Sequence, residues 1–502
     1  MKKLSIIILC LALCLGALTG CGDIVIDPAP SEADASAAPA TLPPDVIDGE
    51  KDSSPKGAEI TLEGSGARIH GSGVSASGGV VTISSPGSYS VKGRLDDGCI
   101  IVNTGEVKGD VTLTLRGAEI TCLSGPAIHV IEAKNFDLVL ENGTENRLVS
   151  GSADAIPDVK LDGAALFCED DLDILGTGSL EVFGYLNNGI TCKDDLDIKD
   201  GTITVTAVNN GVKGSESVEI FAGSLSVRAG NDGVKSTSAK KEGKGFVSIT
   251  GGTLEIQAGG DGIAAETELT VSGGEIRVTT TGESEGSSKA VKAKTMLTVS
   301  GGTLVLDSAE HTVHSAGDML LSGGTLSIVS RAGKGVSAHG ALELSGSTLD
   351  IESADDALEA EESITVSGGE IRLLAGADGL KAGSKSGSGI GTLTIEGGSV
   401  TVSAHGDPFD AKGGAVISDG VFIGVGSPKT PQGFSEESTQ RSLLFAFGGA
   451  KDTAAEVKTA SGESVGTIES RCGYTCAIFS CPGLTAGSYT LSLGTLSASA
   501  EA

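Results

Sequence analysis

Eight oxygen-bearing side chains are of the kind that holds a hard cation. Asn209, Asn210, Asn231, Asp232 and Asp261 form one group; Asp355, Asp356 and Asp378 form a second. Between the groups comes a basic stretch, Lys289, Lys292, His311, His314 and Lys334, with Lys213 and Lys235 a little upstream. Ca²⁺ takes roughly six to eight oxygen ligands from carboxylates and carbonyls, and stacked carboxylates repel unless a cation lies between them. Cationic side chains between two acid clusters suit a groove for an anionic ligand. A plainer reading stands beside this one. Asn and Asp in turns accept bonds from nearby backbone and stack into amide ladders, and lysines on a solvated face need no ligand. Both readings require residues far apart in the chain to become neighbours.

An internal repeat supplies that proximity. Asn209-Asn210-Gly211-Val212-Lys213 returns as Asn231-Asp232-Gly233-Val234-Lys235, an interval of 22 residues. Counting from Val212, apolar residues fall at Val218 and Ile220, then at Leu225 and Val227. The same offsets hold from Ile190, Val313, Val336 and Leu358. Alternation of period two means strands, and Ser-Gly-Gly corners such as Ser272-Gly273-Gly274 supply the turns. One such turn cannot bury its own apolar face, so the turns must stack. The expected fold is all-β: a single-stranded parallel β-helix, right-handed as parallel crossovers are, with rungs of about 22 residues. The position two after each starting residue is small throughout, from Gly214 and Ser236 to Ala411, and is Cys168 and Cys192 in two early rungs. The position one after it is expected to face solvent: Lys213, Lys235, Lys292, His314, Lys381 and Asp410. Extra residues at 236–245, 279–288 and 383–391 read as loops overhanging the stack.

The rest of the chain frames this region. Of 502 residues, 76 are Gly and none is Trp, a profile of short strands and tight turns. The formal charge of −31 makes nucleic acid an unsuitable partner. Residues 1–20 read as a lipoprotein signal, with a basic start, an apolar stretch too short to span a bilayer, and Leu18-Thr19-Gly20-Cys21 at its end. Lipid on Cys21 would anchor the protein to the outer face of a bacterial membrane, its only membrane contact. Residues 21–55 are a Pro-, Ala- and acid-rich tether. A β cap is expected over 56–98, the β-helix over 99–428, and a small C-terminal β-sheet cap over 429–502, the whole acting as a monomer.

The run DDLDIKDGTITVTAVNNGVKGSESVEIFAGSLSVRAGNDGVKS resembles a bacterial family of carbohydrate-binding β-helix proteins. LDDGCIIVNTGEVKGDVTLTLRGAEITCLSGPAIHV, ENGTENRL and IFSCPGLTAGSYTL match its two ends. The resemblance implies a pectate-lyase-like fold, a cell-surface location, bound Ca²⁺ at the Asx-Asx-Gly turns 209–211 and 231–233, and binding of cellulose and acidic sugars such as polygalacturonate. The chain departs from that pattern in having Asn188 and Asn210 where Asp would stand, and Lys and His in the middle rungs.

Three functions are compatible with these features. The leading one is non-catalytic, Ca²⁺-assisted binding of cell-wall polysaccharide, acidic sugars rather than cellulose because no Trp platform exists. A polyuronate lyase would instead use Ca²⁺ to acidify the C5 proton and Lys213 or Lys235 to remove it. A structural stalk or adhesin would use the columns only as ladders.

Overall fold

The computed structural model describes residues 57–154, 163–282, 287–383 and 390–502. The signal at 1–20, Cys21, the tether at 21–55 and parts of the loops at 279–288 and 383–391 lie outside the described residues. All the described residues belong to one compact unit, Ser53–Ala502.

The chain is all-β among these residues, and its long sheets are dominated by parallel pairs. Each repeat contributes three strands, for example Val212–Gly214, Ser217–Ile220 and Ser224–Ala229. Each pairs in parallel with its equivalent one repeat later. Val212 lies opposite Val234, Val218 opposite Val247 and Leu225 opposite Leu254. The first strands of successive repeats build a 15-stranded sheet ending at Phe409–Ala411; the second and third belong to a 28-stranded one.

Alternation along each strand sends every second side chain inward. Val212, Val218 and Val234 are fully buried, and one apolar cluster runs from Ala58 to Ile478. Burial of each such Val, Leu or Ile contributes about 1.5–3 kcal/mol, repeated coil after coil, which fixes the register. A slip by one residue would expose the whole set. The small column is buried as expected, Cys168 and Cys192 included.

Two kinds of glycine shape the corners. Gly223 and Gly252 take φ of 84° and 87°, where other residues are strained. Gly211 and Gly233 are glycine for lack of space. A Cβ on Gly211 would sit 2.2 Å from Val227 Cγ1 and 2.6 Å from the Gly233 carbonyl oxygen.

Pairing begins earlier than the sequence offsets do. Gly57–Gly64 pairs antiparallel with Ala67–Gly71, but parallel with Gly87–Leu95, which pairs in turn with Val111–Cys122. At the other end, Tyr474–Ser480 lies antiparallel to both Ala415–Gly426 and Leu443–Gly449. A separate core of Phe445, Val457, Phe479 and Leu491 lies there, beside a four-stranded antiparallel sheet formed by residues 454–501.

Candidate functional site

The short first strand of each repeat, with the turn before it, carries the chemistry. The residue two before the starting Val, Ile or Leu sits in the turn; the residue one after it lies between two inward positions. In successive coils these are stacked about 4.8 Å apart.

The turn residues form a ladder whose side chains accept the N–H of the next coil. Asn188 Oδ1 accepts from Asn210 at 3.1 Å, and Asn210 Oδ1 from Asp232 at 3.3 Å. Asp232 Oδ1 accepts from Asp261, and Asp261 Oδ1 from Lys289, both at 2.9 Å. His311 Nδ1 serves Lys334 at 2.9 Å. Asp356 Oδ1 serves Asp378, and Asp378 Oδ1 serves Asp407, each at 3.0 Å. The pattern breaks at Lys289 and Lys334 because an ammonium cannot accept. Asn209 Nδ2 donates to Asn187 Oδ1 at 2.8 Å and Asn231 Nδ2 to Asn210 Oδ1 at 3.1 Å, an amide ladder of the plainer kind.

The second carboxylate oxygens meet ammonium groups. Asp232 Oδ2 is 2.5 Å from Lys235 Nζ, and Asp261 Oδ2 is 3.0 Å from Lys292 Nζ. Lys381 Nζ bridges Asp356 at 3.0 Å and Asp378 at 2.9 Å. With the polarity reversed, Lys334 in the turn pairs with Glu359 at 2.5 Å, and Lys289 with Glu310 at 3.2 Å. Lys213 is half-buried. Lys381, expected to face solvent, is instead buried at 5 % exposure against a wholly buried Asp356. The reason is the bridging geometry, in which the turn carboxylates of two coils enclose its ammonium.

These environments set the protonation states. Burial alone would raise Asp356, but the Asp378 N–H, the Glu359 hydrogen bond and the Lys381 ammonium together hold it below the ordinary range. Burial would lower Lys381, and its two carboxylate partners outweigh that and raise it. Asp407, at the end of the ladder, is pushed up to about 6 by burial and by Asp378 and Asp410.

The histidines correct an expectation. Burial, followed by nearby cationic groups, lowers His311, and lowers His314 to about 3. The rings of His311 and His314 stack at 6.2 Å, and His339 meets His314 edge-on at 5.1 Å. At neutral pH the His311 and His314 rings are uncharged. Lys289, Lys292 and Lys334 are each already paired. The basic stretch is therefore a lattice of ion pairs around neutral imidazoles, not an open cationic groove.

The eight expected metal ligands do not fit a calcium ion as arranged. Asp232, Asp261, Asp356 and Asp378 each give one oxygen to a backbone N–H and the other to an ammonium. Asn210 Oδ1 already accepts two hydrogen bonds in the ladder, Asn209 and Asn231 are held there through their Nδ2 groups, and Asp355 stands half-buried one position before Asp356. Among the described residues no cluster of three or more His, Cys, Asp or Glu side chains is arranged to hold a metal. Glu310, Glu359 and His339 complete the ladder and were missed in the sequence. The signal for Glu359 was its place in the column next to Asp356.

Most of the chain is similar to known proteins. A family described as carbohydrate-binding domain-containing protein matches residues 77–332 and 315–466. A protein of that description from Acetivibrio thermocellus is 34% identical over 137 residues, covering 27% of this chain and 48% of its own length. The chain thus spans about half the length of that relative. A solved structure described as a polysaccharide lyase-like protein from C. thermocellum, in a gadolinium derivative, is 29% identical over 53% of this chain and 97% of its own, with a TM-score of 0.43.

Proposed function

This chain belongs to the carbohydrate-binding domain family, and from that premise we propose that it binds cell-wall polysaccharide without acting on it, engaging acidic sugars along the ladder face. In this reading the stack is a right-handed single-stranded parallel β-helix closed by the C-terminal sheets. Cys21 carries lipid that holds the protein at the outer surface of a bacterial cell.

One observation carries the proposal: the charged side chains of the ladder neutralise one another. A lyase base must be an uncharged amine near working pH. Of the two candidate bases, Lys213 and Lys235, the second has its ammonium 2.5 Å from the Asp232 carboxylate, which holds it away from a C5 proton. For binding, Lys235 and Lys292 keep 24% and 30% of their side chains exposed. A uronate carboxylate reaching them accepts from the N–H bonds of the ammonium that Asp232 or Asp261 does not use, so each pair stays intact.

Equilibrium binding to polygalacturonate, with and without chelator, tests this. Binding unchanged by chelator and weakened at least tenfold in a Lys235→Ala/Lys292→Ala double variant is expected. Loss of binding on chelation restores a Ca²⁺ bridge; unsaturated product absorbance replaces binding by catalysis. For the anchor, Cys21→Ser should release the protein into the medium, and retention in the membrane fraction would refute it.

A further inference from the structure

Two pairs of cysteines adjoin in the stack, and their surroundings differ. Cys99 opens the strand Cys99–Asn103, and Cys122 closes the strand Val111–Cys122. The backbone fixes both. The Cys99 N–H donates to the Gly79 carbonyl at 3.0 Å, and the Cys122 carbonyl accepts from Gly151 at 2.9 Å. Their turns are tied together as well: Gly98 N–H donates to the Thr121 carbonyl at 2.8 Å, and Leu123 N–H to Asp97 Oδ1 at 3.0 Å. The two thiols adjoin, Cys99 half-buried and Cys122 with 8% of its surface exposed. The turn residues beside them, Asp96, Asp97, Leu123 and Ser124, are exposed. Cys168 and Cys192, by contrast, are wholly buried. Both of those thiols donate to the Asp170 carbonyl, at 3.1 and 2.9 Å.

Packing does not call for sulfur at Cys99 or Cys122. Where Cys99 stands before Ile100, later coils have Gly189, Gly211 and Gly233 before Ile190, Val212 and Val234. In register with Cys122 come Ser150, then Gly184 and Ala207. The surroundings of Cys122 suit an anion instead. The Cys99 S–H, and then the backbone N–H groups of Ser124 and Gly125, favour its thiolate and lower the thiol to about 6 against the effect of burial. Successive backbone N–H groups turned towards one atom commonly hold anions. Asp97, a carboxylate bearing on both sulfurs, opposes the anion without outweighing these donors. The proton of the pair stays on Cys99, whose thiol is raised by its bond to Cys122. In the other pair the Cys168 thiol and burial raise Cys192.

We propose that Cys99 and Cys122 form a thiol–disulfide exchange site, open in the folded protein to small disulfides such as oxidised glutathione. The site is independent of glycan binding. The thiolate is the nucleophile in such exchange. The Cys122 sulfur attacks one sulfur of the small disulfide, whose S–S bond breaks; one small thiolate leaves and takes a proton from water. Cys122 is then joined to the other half. Cys99 gives its proton to solvent and attacks the Cys122 sulfur, expelling the second small thiolate. The protein dithiol is oxidised by two electrons, and the small disulfide is reduced to two thiols. The product staples the two turns together, and excess small thiol reverses it. Cys168 and Cys192 exchange only when their coils open.

The full chain, reduced and freed of reductant, is mixed with oxidised glutathione, quenched in acid and mapped by mass spectrometry. The Cys99–Cys122 link should form about tenfold or more faster than the Cys168–Cys192 link, which waits for local opening. In Cys99→Ala, Cys122 should stop at the mixed disulfide, heavier by one glutathionyl group, because no neighbouring thiol resolves it. Alkylation of Cys122 by iodoacetamide in the folded wild type should rise with pH about a midpoint near about 6. In Cys99→Ala that midpoint should move up, since the S–H donor is gone. Circular dichroism confirms that the variant is folded, and the wild-type measurements stand without it. A wild-type midpoint near the ordinary thiol value of about 8.5 overturns the proposal, as do equal rates of linking in the two pairs.

Discussion

Replacing Lys381 with Met isolates the electrostatic logic of the ladder. The Lys381 ammonium lies 3.0 Å from Asp356 and 2.9 Å from Asp378, with 6% of its side chain exposed and none of that of Asp356. Met keeps much of the volume and removes the charge. Two carboxylates one coil apart are then left facing each other, one of them out of contact with water. Breaking a buried pair in this way costs about 3–5 kcal/mol. A pH dependence should appear as well. In the wild type Asp356 is held low, so its contribution is present above the ordinary carboxylate range and is lost as pH falls through its lower folded value. Lys381 is raised, so its contribution is complete below the ordinary lysine value and is lost as pH rises through the higher folded one. Between about pH 5 and pH 9 the wild-type coils should therefore be level on account of these groups. In Lys381→Met the uncovered repulsion is relieved by protonation, so stability should rise as pH falls from about 8 towards about 5. A stacked array opens locally, so the assay is amide hydrogen exchange in peptides containing Leu358 and Leu380. A loss below about 1 kcal/mol with an unchanged pH profile would refute the reasoning.

The same geometry sets other expectations. The imidazole of His314 should not titrate between about pH 5 and 8 by NMR, and that of His311 should titrate below its ordinary value; a His314 midpoint near about 6.5 would show an exposed ring. On the 28-stranded sheet, Asp173, Asp197 and Glu219 stand in register, and burial with the two neighbouring charges pushes Asp197 up to about 6. The folded state gains stability as pH falls through that value. Asp197→Asn should therefore stabilise the coil at pH 8 by about 1–2 kcal/mol, solvent screening allowed for, and flatten the profile, as read by exchange in 195–198. The Cys99 and Cys122 thiols adjoin each other, as do those of Cys168 and Cys192, which are opposed in register and both donate to the Asp170 carbonyl. Treatment with oxidised glutathione should form two disulfides, seen by mass spectrometry as loss of two hydrogens per pair, each adding about 3 kcal/mol against unfolding; thiols that stay alkylatable would refute this.

The stacking was legible because each inward position must be apolar and the offsets repeat, so Val212 and Val234 had to be neighbours. The early coils were not, since Gly57–Gly64 pairs both with the adjacent Ala67–Gly71 and with Gly87–Leu95, which breaks the interval. Within the site, the turn column and the column beside it were found, but not their mutual engagement. Asp232 and Lys235 three residues apart, or Asp378 and Lys381, signal pairs only once the strand between them is known to be three residues long. The burial of Lys381 depends on carboxylates from two coils meeting over it, which no local pattern encodes. The histidine charges were misjudged for the same reason.

In the proposed function the paired ladder holds polysaccharide and leaves it intact. Its most direct test is polygalacturonate incubated with the purified protein in chelator, with bound polymer and unsaturated-product absorbance followed in one sample. Saturable binding with flat absorbance over hours is the predicted result. Rising absorbance, or no polymer retained, would contradict it.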